Sequence, residues 1–180
     1  MTTGDGTATA AAWVSLGANL GHRGRALALL RDLLARDGAV VEAASSELLT
    51  RPVGVTGQPD FHNQVLRLRA PEPWAPGRWL DHARAAETTA GRRDTYRWGP
   101  RRADVDILLL GESGEVTVTD PGLTVPHPEI GNRPYLIRLL AELGLPISRS
   151  AGGPPAGARC AGPSAPGERS APGRGAARSR

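Results

Sequence analysis

An apolar run that begins with two acidic residues most constrains the fold of this chain. Residues 103–110 read Ala-Asp-Val-Asp-Ile-Leu-Leu-Leu, which predicts a buried strand. Residues i and i+2 of a strand point to the same face, so Asp104 and Asp106 project side by side. Two adjacent carboxylates repel each other unless a cation lies between them, and Mg²⁺ accepts one or two carboxylates together with substrate phosphates. The pattern therefore predicts a magnesium and phosphate site where this strand begins.

Arginines precede this strand in unusual number. Five occur shortly before it, namely Arg92, Arg93, Arg97, Arg101 and Arg102. Guanidinium groups bind phosphate oxygens in a bidentate manner, which a merely solvated face does not require. Two observations weaken the interpretation. Asp-x-Asp alone also occurs at solvated strand ends, and lysine is absent from the chain, so arginine is its only strong base.

The distribution of charge argues against a nucleic-acid-binding module. The 180 residues carry a formal charge of +4, but residues 1–147 hold 16 Arg against 17 Asp and Glu, whereas residues 148–180 hold 6 Arg and one Glu. A domain that binds a phosphate backbone is expected to carry a basic patch on its own surface. We therefore expect no nucleic-acid partner, although a basic tail that contacts RNA or DNA stays an alternative.

Composition divides the chain into three parts: a flexible start at 1–10, a folded domain at 11–147 and a tail at 148–180. The tail consists mainly of Gly, Pro, Ala, Ser and Arg, which predicts disorder because such residues bury little apolar surface. The only cysteine, Cys160, lies in this tail, so no disulfide framework forms within one chain. Without a membrane-spanning apolar run, we expect a cytoplasmic protein, and a monomer.

Periodicity predicts alternating strands and helices. Strands are expected at 11–17, 40–49, 61–68, 103–110 and 116–118, and helices at 23–36, 74–89 and 133–143, from the spacing of their apolar residues and the glycines and prolines between them. The connection 50–59 is long and rich in Gly and Pro, which is typical of a functional loop. The order predicts a two-layer α+β domain with helices on one face of a mainly antiparallel sheet.

Several separate stretches resemble the pterin pyrophosphokinases of folate synthesis (6-hydroxymethyl-7,8-dihydropterin pyrophosphokinase). The similarity runs from about Trp13 to Leu143 and is strongest in Arg-Trp-Gly-Pro-Arg at 97–101 followed by Asp-x-Asp. The other stretches are Leu-Gly-Ala-Asn-Leu-Gly at 16–21, Arg-Pro-Val-Gly at 51–54, Gln-Pro-Asp-Phe-His-Asn at 58–63, Glu87 with Gly91-Arg92, Val-Pro-His-Pro at 125–128, and Asn132-Arg133.

The resemblance implies a ferredoxin-like fold and transfer of diphosphate from MgATP to the hydroxymethyl group of 6-hydroxymethyl-7,8-dihydropterin, releasing AMP. Asp104 and Asp106 match the family's magnesium ligands, which would hold two ions on the triphosphate. Arg92 and Arg101 match arginines that close over the phosphates, so they are the candidate catalytic residues. Arg92 is also explained by a second interpretation, as a cation at a helix C-terminus.

The resemblance further implies a nucleotide site and a pterin site. The ATP-binding candidates are Arg84, Glu87, Arg97, Trp98, Arg101, Ile107, His127 and Arg133. The pterin-binding candidates are Thr50, Val53, Gly54, Phe61, Asn63 and Tyr135, where Asn63 reads the ring edge and the two aromatic rings enclose its faces. Phe61 and Tyr135 also suit a plain core position. Trp98 lies in a stretch, 91–100, with the composition of a lid that closes over the filled site.

Two features depart from the family pattern. Asp94 stands where relatives commonly carry a second arginine, which replaces a phosphate contact by a repulsive charge. After the last predicted helix the chain turns at Leu145-Pro146 into the tail instead of continuing with another apolar segment, so an edge of the core is expected to lie uncovered. An inactive or weakened relative is therefore an alternative, and a sugar-nucleotide transferase that uses Asp-x-Asp is another.

Overall fold

A computed structural model describes residues 7–52, 57–92 and 102–147 of this chain. Strands and helices alternate along these ranges. Their order is β1 (Thr9–Ala18), α1 (Arg23–Leu34), β2 (Val40–Ala44), β3 (Leu48–Thr50), β4 (Phe61–Trp74), α2 (Pro76–Thr89), β5 (Asp104–Leu110), β6 (Val118–Asp120), β7 (Leu123–Val125) and α3 (Pro134–Glu142).

The main sheet has five antiparallel strands. Its order is β2-β4-β1-β5, and β3 pairs with β4 beyond the end of β2. The strands β6 and β7 form a separate hairpin. The predicted α+β class and the mainly antiparallel sheet are thus confirmed within the described residues.

Helices α1 and α2 cover one face of this sheet. They contribute Leu27, Leu30, Trp79 and Ala83 to a buried cluster that also contains alternate residues of the central strands. Those sheet residues are Val14, Leu16, Leu66, Leu68, Val105 and Ile107. Residues two apart share a face, so this cluster lies opposite to Asp104 and Asp106.

Helix α3 packs against the other face of the sheet. Its Leu136, Leu139 and Leu140 join a second buried cluster with the sheet residues Trp13, Val65 and Leu108. The prediction of helices on one face therefore holds for α1 and α2 only. The reason is that both sheet faces carry apolar residues along β1, β4 and β5, and α3 supplies the apolar stripe that covers the second face.

The segment predicted as one strand at 40–49 is two strands, because the pairing with β4 shifts by one residue between Ala44 and Leu48. The backbone N–H of Ser45 donates to Val65 O at 2.9 Å, and its hydroxyl oxygen accepts from the backbone N–H of Val65 at 2.9 Å. Gln64 Nε2 also donates to Ser45 O at 2.7 Å. Both halves still pair with β4, so the interruption is a local irregularity within one sheet.

Three further boundaries differ from the prediction. Strand β4 continues to Trp74, past Pro71 and Pro73, because the pairing with β1 is irregular there and a bulge tolerates proline. Helix α2 consequently begins at Pro76, a favoured first helical residue. At the chain start, β1 begins at Thr9, within the segment expected to be flexible.

The end of the described chain contributes to the second cluster. Leu143, Leu145 and Ile147 are partly buried and pack against it, so this segment covers part of the core edge that was expected to be exposed. The tail at 148–180 lies outside the described residues. Among the residues that are described, no helix has the length and apolar character needed to span a bilayer.

Candidate functional site

Three residues from adjacent strands line up at one end of the sheet. Gly17 of β1 pairs with Asn63 of β4 on one side and with Asp104 of β5 on the other. A Cβ atom at Gly17 would lie 3.7 Å from Asn63 Oδ1 and 3.8 Å from Asp104 Cβ. Because Gly17 has no side chain, a shallow gap separates the predicted pterin-reading amide from the predicted metal-binding carboxylate.

The two aspartates share one face of β5, as their spacing predicts. Gly17 and Ser15 of β1 face them in register. Their side chains stay reachable, with 16% of Asp104 and 30% of Asp106 exposed. Among the described residues no group of three or more acidic, His or Cys side chains forms a closed metal site. Two hard oxygen donors fit Mg²⁺, which commonly completes its shell with water and substrate phosphates.

Glu87 and Arg92 organise the start of β5. The carboxylate of Glu87 is buried at 6% exposure and accepts the backbone N–H of Val105, between the two aspartates, at 2.8 Å. Arg92 forms an ion pair with this carboxylate, and its Nη1 also donates to Asp104 Oδ1 at 2.9 Å. A predicted catalytic arginine is therefore in direct contact with a predicted metal ligand.

Arg133 and Tyr135 lie beside Asp106. Arg133 Nη1 is 4.0 Å from Asp106 Oδ2 and 3.4 Å from the Tyr135 hydroxyl oxygen. Burial tends to lower the pKa of Arg133, but Tyr135, Asp106 and Glu129 outweigh it and raise that pKa. Burial raises the pKa of Tyr135, with Asp106 and Asp104 adding to the rise against the effect of Arg133. Tyr135 therefore stays a neutral hydroxyl among charged groups.

Hydrogen bonds fix both the backbone and the ring of His127. Its backbone N–H donates to Leu108 O at 2.8 Å, and its Nδ1 accepts the backbone N–H of Glu129 at 3.2 Å. With Nδ1 used as an acceptor, the neutral ring carries its proton on Nε2. The side chain is half-buried, so Nε2–H is a donor suited to an anionic group.

Asn63 is hydrogen-bonded to β3, the strand that pairs with the start of β4. Its Nδ2 donates to Thr50 Oγ1 at 2.8 Å and lies 3.4 Å from Leu48 O. Phe61, half-buried, pairs with Thr50 in the same register. Three predicted pterin-binding residues are thus brought together: Thr50, Phe61 and Asn63.

Asn19 is a residue of the site region to which the sequence analysis assigned no role. It is 1% exposed, and its Nδ2 donates to Gln58 Oε1 at 3.1 Å and to Pro59 O at 3.3 Å. It therefore anchors the end of the long connection that precedes β4. A buried amide directly after a strand was the available signal, since buried polar groups require partners.

Arg84 and Ile107, both predicted to bind ATP, lie elsewhere in the domain. Arg84 is exposed on α2, and a Cβ atom at Gly122 in the β6–β7 turn would lie 3.2 Å from its Nη2. Ile107 is buried in the cluster under α1 and α2, on the opposite face of β5 from the aspartates. Their predicted contacts with ATP stay predictions.

Five other predicted site residues lie outside the described ranges. They are Val53, Gly54, Arg97, Trp98 and Arg101. Asp94, the departure from the family pattern, and most of the predicted lid, 91–100, also fall there.

Comparison with known proteins identifies the family. The sequence profile of 7,8-dihydro-6-hydroxymethylpterin-pyrophosphokinase (HPPK) matches residues 13–145. The chain belongs to this family. The HPPK match includes the strand with both aspartates, the paired residues Asn63, Gly17 and Asp104, and the whole of α3.

Named HPPK relatives agree with this assignment. The 2-amino-4-hydroxy-6-hydroxymethyldihydropteridine pyrophosphokinase of Bacillus subtilis is 33% identical over 141 residues, which is 78% of this chain and 81% of the relative. That of Mycobacterium bovis is 36% identical over 130 residues, covering 69% and 67%. The mitochondrial folate synthesis bifunctional protein of Pisum sativum is 34% identical over 130 residues, 72% of this chain but 24% of the relative.

A solved structure from Bacillus subtilis, a dinuclear metal-binding peptidase of the M20 family, matches with a TM-score of 0.34 at 16% identity. It covers 86% of this chain and 37% of that one, and the likeness is too slight to inform the fold. The HPPK relatives establish the reaction instead. The chain is an ATP-dependent diphosphokinase that transfers diphosphate to 6-hydroxymethyl-7,8-dihydropterin in folate synthesis.

Proposed function

We propose that the two substrates of this reaction meet across Gly17, with the pterin on the Asn63 side and the ATP phosphates on the Asp104 side. The observation that carries the proposal is the pairing of these three residues in one row of the sheet. The gap left by glycine would admit the pterin hydroxymethyl group between them. Holding two reactants in register lowers the entropic cost of their reaction.

We propose that Asp104 and Asp106 hold Mg²⁺ together with ATP, and that two ions are bound. These residues would hold Mg²⁺, which would supply positive charge to offset that of the phosphates. The exposure of both side chains and their common face support this assignment. Among the described residues two carboxylates are available here, so the metal would complete its shell with water in the free protein, and with water and the phosphates when ATP is bound.

The transfer itself requires cationic and hydrogen-bonding groups around the phosphates. The pterin hydroxyl oxygen bonds to the β-phosphorus, the bond from that phosphorus to the α–β bridging oxygen breaks, AMP leaves, and the hydroxyl proton is released. Arg92, Arg133 and the Nε2–H of His127 are our proposed donors to the phosphate oxygens. The resemblance adds Arg97, Trp98 and Arg101 to this set, with Arg84 and Ile107 as further nucleotide contacts. Glu87, whose carboxylate is engaged by Val105 and Arg92, is proposed to serve the nucleotide site indirectly.

The pterin site is proposed to use the end of β4 and the start of α3. Asn63 would read the edge of the ring, Phe61 and Tyr135 would enclose its faces, and Thr50 with the backbone of Val53 and Gly54 would complete the pocket. The hydrogen bond from Asn63 Nδ2 to Thr50 Oγ1 supports the grouping. A buried amide with both a donor and an acceptor suits a heterocycle edge.

We also propose that the fold is ferredoxin-like and that the enzyme is a monomer. The order βαββαβ, counting β2 and β3 as one interrupted strand, and the antiparallel order β2-β4-β1-β5 support the first proposal. α3 is then an addition that covers the second face of the sheet.

The test of the proposed site is pterin-dependent AMP release with Mg²⁺ and ATP. We expect Asp104→Asn and Asp106→Asn to lower the rate by about 100-fold or more, the order of loss on removing one group that stabilises transition-state charge. Asp120→Asn, at the exposed end of β6, is the matched control and should keep the wild-type rate. Full activity in both site variants would refute the metal assignment.

A further inference from the structure

The guanidinium of Arg92 lies between two carboxylates in the ligand-free chain. The same nitrogen, Nη1, donates to Asp104 Oδ1 at 2.9 Å and forms an ion pair with Glu87 Oε1. About a third of the Arg92 side chain is exposed, so neither contact is sealed from solvent. The protein thus already holds a cation at a carboxylate that we assign to the metal.

The two carboxylates differ in their freedom to move. Glu87 is buried, and its carboxylate also accepts the backbone N–H of Val105 at 2.8 Å. The backbone N–H of Arg92 donates to Glu87 O at 3.0 Å. Moving the Glu87 carboxylate would therefore break a hydrogen bond between α2 and β5 as well as the ion pair with Arg92. Breaking the contact between Arg92 and Asp104 leaves that hydrogen bond intact, so it is the contact that can exchange.

A metal ion that binds Asp104 has to share or replace this contact. Guanidinium and Mg²⁺ both require the negative charge of the carboxylate, and two cations at one carboxylate repel each other. The phosphates of ATP offer Arg92 a new anionic partner of the kind that guanidinium binds best. Arg92 would then lose its ion pair with Asp104 and gain one with the phosphates.

We infer that Arg92 is a tethered counter-cation of Asp104: it is displaced from Asp104 when metal and ATP bind, and Glu87 keeps it within reach of the phosphates. Glu87 is thereby a positioning residue that acts through Arg92 and not by touching ATP. The inference rests on the proposed function, since it takes Asp104 as a metal ligand. It links the two ligands thermodynamically: ATP should strengthen metal binding, and the metal should strengthen ATP binding by the same factor.

The first test uses the full chain and Mn²⁺ alone, with binding measured by electron paramagnetic resonance of the free ion. Arg92→Gln removes one cation that competes for Asp104, so we expect Mn²⁺ to bind about fivefold more tightly, a factor of the size that a partly exposed ion pair supports. Arg36→Gln removes the same charge from an exposed position just after α1, where no site role is assigned, and should leave the affinity within about twofold. Equal affinities in wild type and Arg92→Gln would overturn the inference.

Asp104→Asn separates this inference from the proposed function. If Asp104→Asn abolishes Mn²⁺ binding while Arg92→Gln leaves it unchanged, the metal site stands and the counter-cation role is wrong. If Asp104→Asn leaves Mn²⁺ binding unchanged, or if wild type and all variants fail to bind Mn²⁺, the metal assignment fails and the inference fails with it.

The second test concerns Glu87. Glu87→Gln keeps an oxygen that accepts the Val105 N–H but loses the charge that holds Arg92, so we expect kcat to fall about tenfold while the KM for ATP changes little. If Glu87 acts through Arg92, the double variant Glu87→Gln/Arg92→Gln has the same kcat as Arg92→Gln alone. An additional loss of kcat in the double variant would indicate a separate structural role and would overturn the tether.

Discussion

Gly17 is the residue on which the closeness of the two half-sites depends. It pairs with Asn63 in β4 and with Asp104 in β5, and although Gly17 is buried, its missing side chain leaves room for a Cβ atom between them. An added methyl group would meet both neighbours at ordinary contact distances, 3.7 and 3.8 Å. A small side chain at position 17 is therefore compatible with the fold. Any need for glycine at this position comes from the substrate.

Gly17→Ala tests both statements. We expect the free energy of unfolding to stay the same or rise by up to about 1 kcal/mol, because alanine restricts the unfolded chain. We expect the KM for the pterin to rise at least tenfold, since the methyl group fills the gap between the half-sites. Urea unfolding and steady-state kinetics measure the two quantities. An unchanged pterin KM would show that the substrate does not cross Gly17.

Asn19 is the second residue whose role can be measured directly. Asn19→Ala leaves Pro59 O and Gln58 Oε1 without the donor seen in the structure. We expect a destabilisation of about 1–3 kcal/mol and a higher KM for the pterin, because the connection before β4 loses an anchor. The KM for ATP should change less. A variant with normal stability and normal pterin KM would contradict the anchoring role.

At the scale of elements, α3 determines how the second face of the sheet is covered. Its C-terminal end is attached to the bend between β2 and β3 through Glu142. Glu142 Oε2 accepts from Ser46 Oγ at 2.7 Å and from the Ser46 backbone N–H at 3.0 Å. These hydrogen bonds, first of all the one from the hydroxyl, lower the pKa of Glu142, and Arg138 adds to the effect against some loss of solvation.

The lowered pKa predicts a pH-dependent contribution of Glu142 to stability. A carboxyl whose pKa is lower in the folded state stabilises the fold above its unfolded pKa of about 4.3. That contribution is lost as the pH falls through the folded-state value. We therefore expect Glu142→Gln to lower the melting temperature at pH 7, with the difference from wild type shrinking as the pH falls below the unfolded pKa.

Ser46→Ala is the companion variant, since it removes the hydroxyl donor and keeps the backbone donor. Its melting temperature at pH 7 should lie between those of wild type and Glu142→Gln. A difference between Glu142→Gln and wild type that does not depend on pH would show that the attachment is not the cause.

At the scale of the whole molecule, local patterns predicted most elements and the side-by-side aspartates. The face of β5 that carries Asp104 and Asp106 follows from strand geometry alone, and the helix expected at 133–143 is α3, Pro134–Glu142. The grouping of Asn63, Gly17 and Asp104 could not be predicted from local patterns, because register between distant strands depends on the turns and the packing of the whole sheet. The attachment of Glu87 to Val105 is equally non-local.

The face covered by α3 was also beyond local prediction. The stripe of apolar residues in α3 shows that one side is buried but not which sheet surface receives it. That choice depends on the second apolar face formed by Trp13, Val65 and Leu108. These residues come from three different strands, so the face exists only once the strands are paired.

The segment after α3 allows a prediction about the domain boundary. A chain of residues 1–147 should keep both activity and stability, because the candidate site residues all precede residue 148. A chain of residues 1–143 loses Leu145 and Ile147, which are partly buried against the second cluster, and should lose about 2 kcal/mol of stability. Chemical denaturation and AMP release measure both chains. An inactive but folded 1–147 chain would contradict this boundary.

The most direct test of the account is the identity of the products. Phosphorus NMR of a reaction containing Mg²⁺, ATP and 6-hydroxymethyl-7,8-dihydropterin should show AMP and the pterin diphosphate in equal amounts, with both formed at least about 100-fold more slowly by Asp104→Asn. ADP with a pterin monophosphate would contradict diphosphate transfer, and AMP with free diphosphate and unchanged pterin would contradict transfer between two substrates that meet across Gly17.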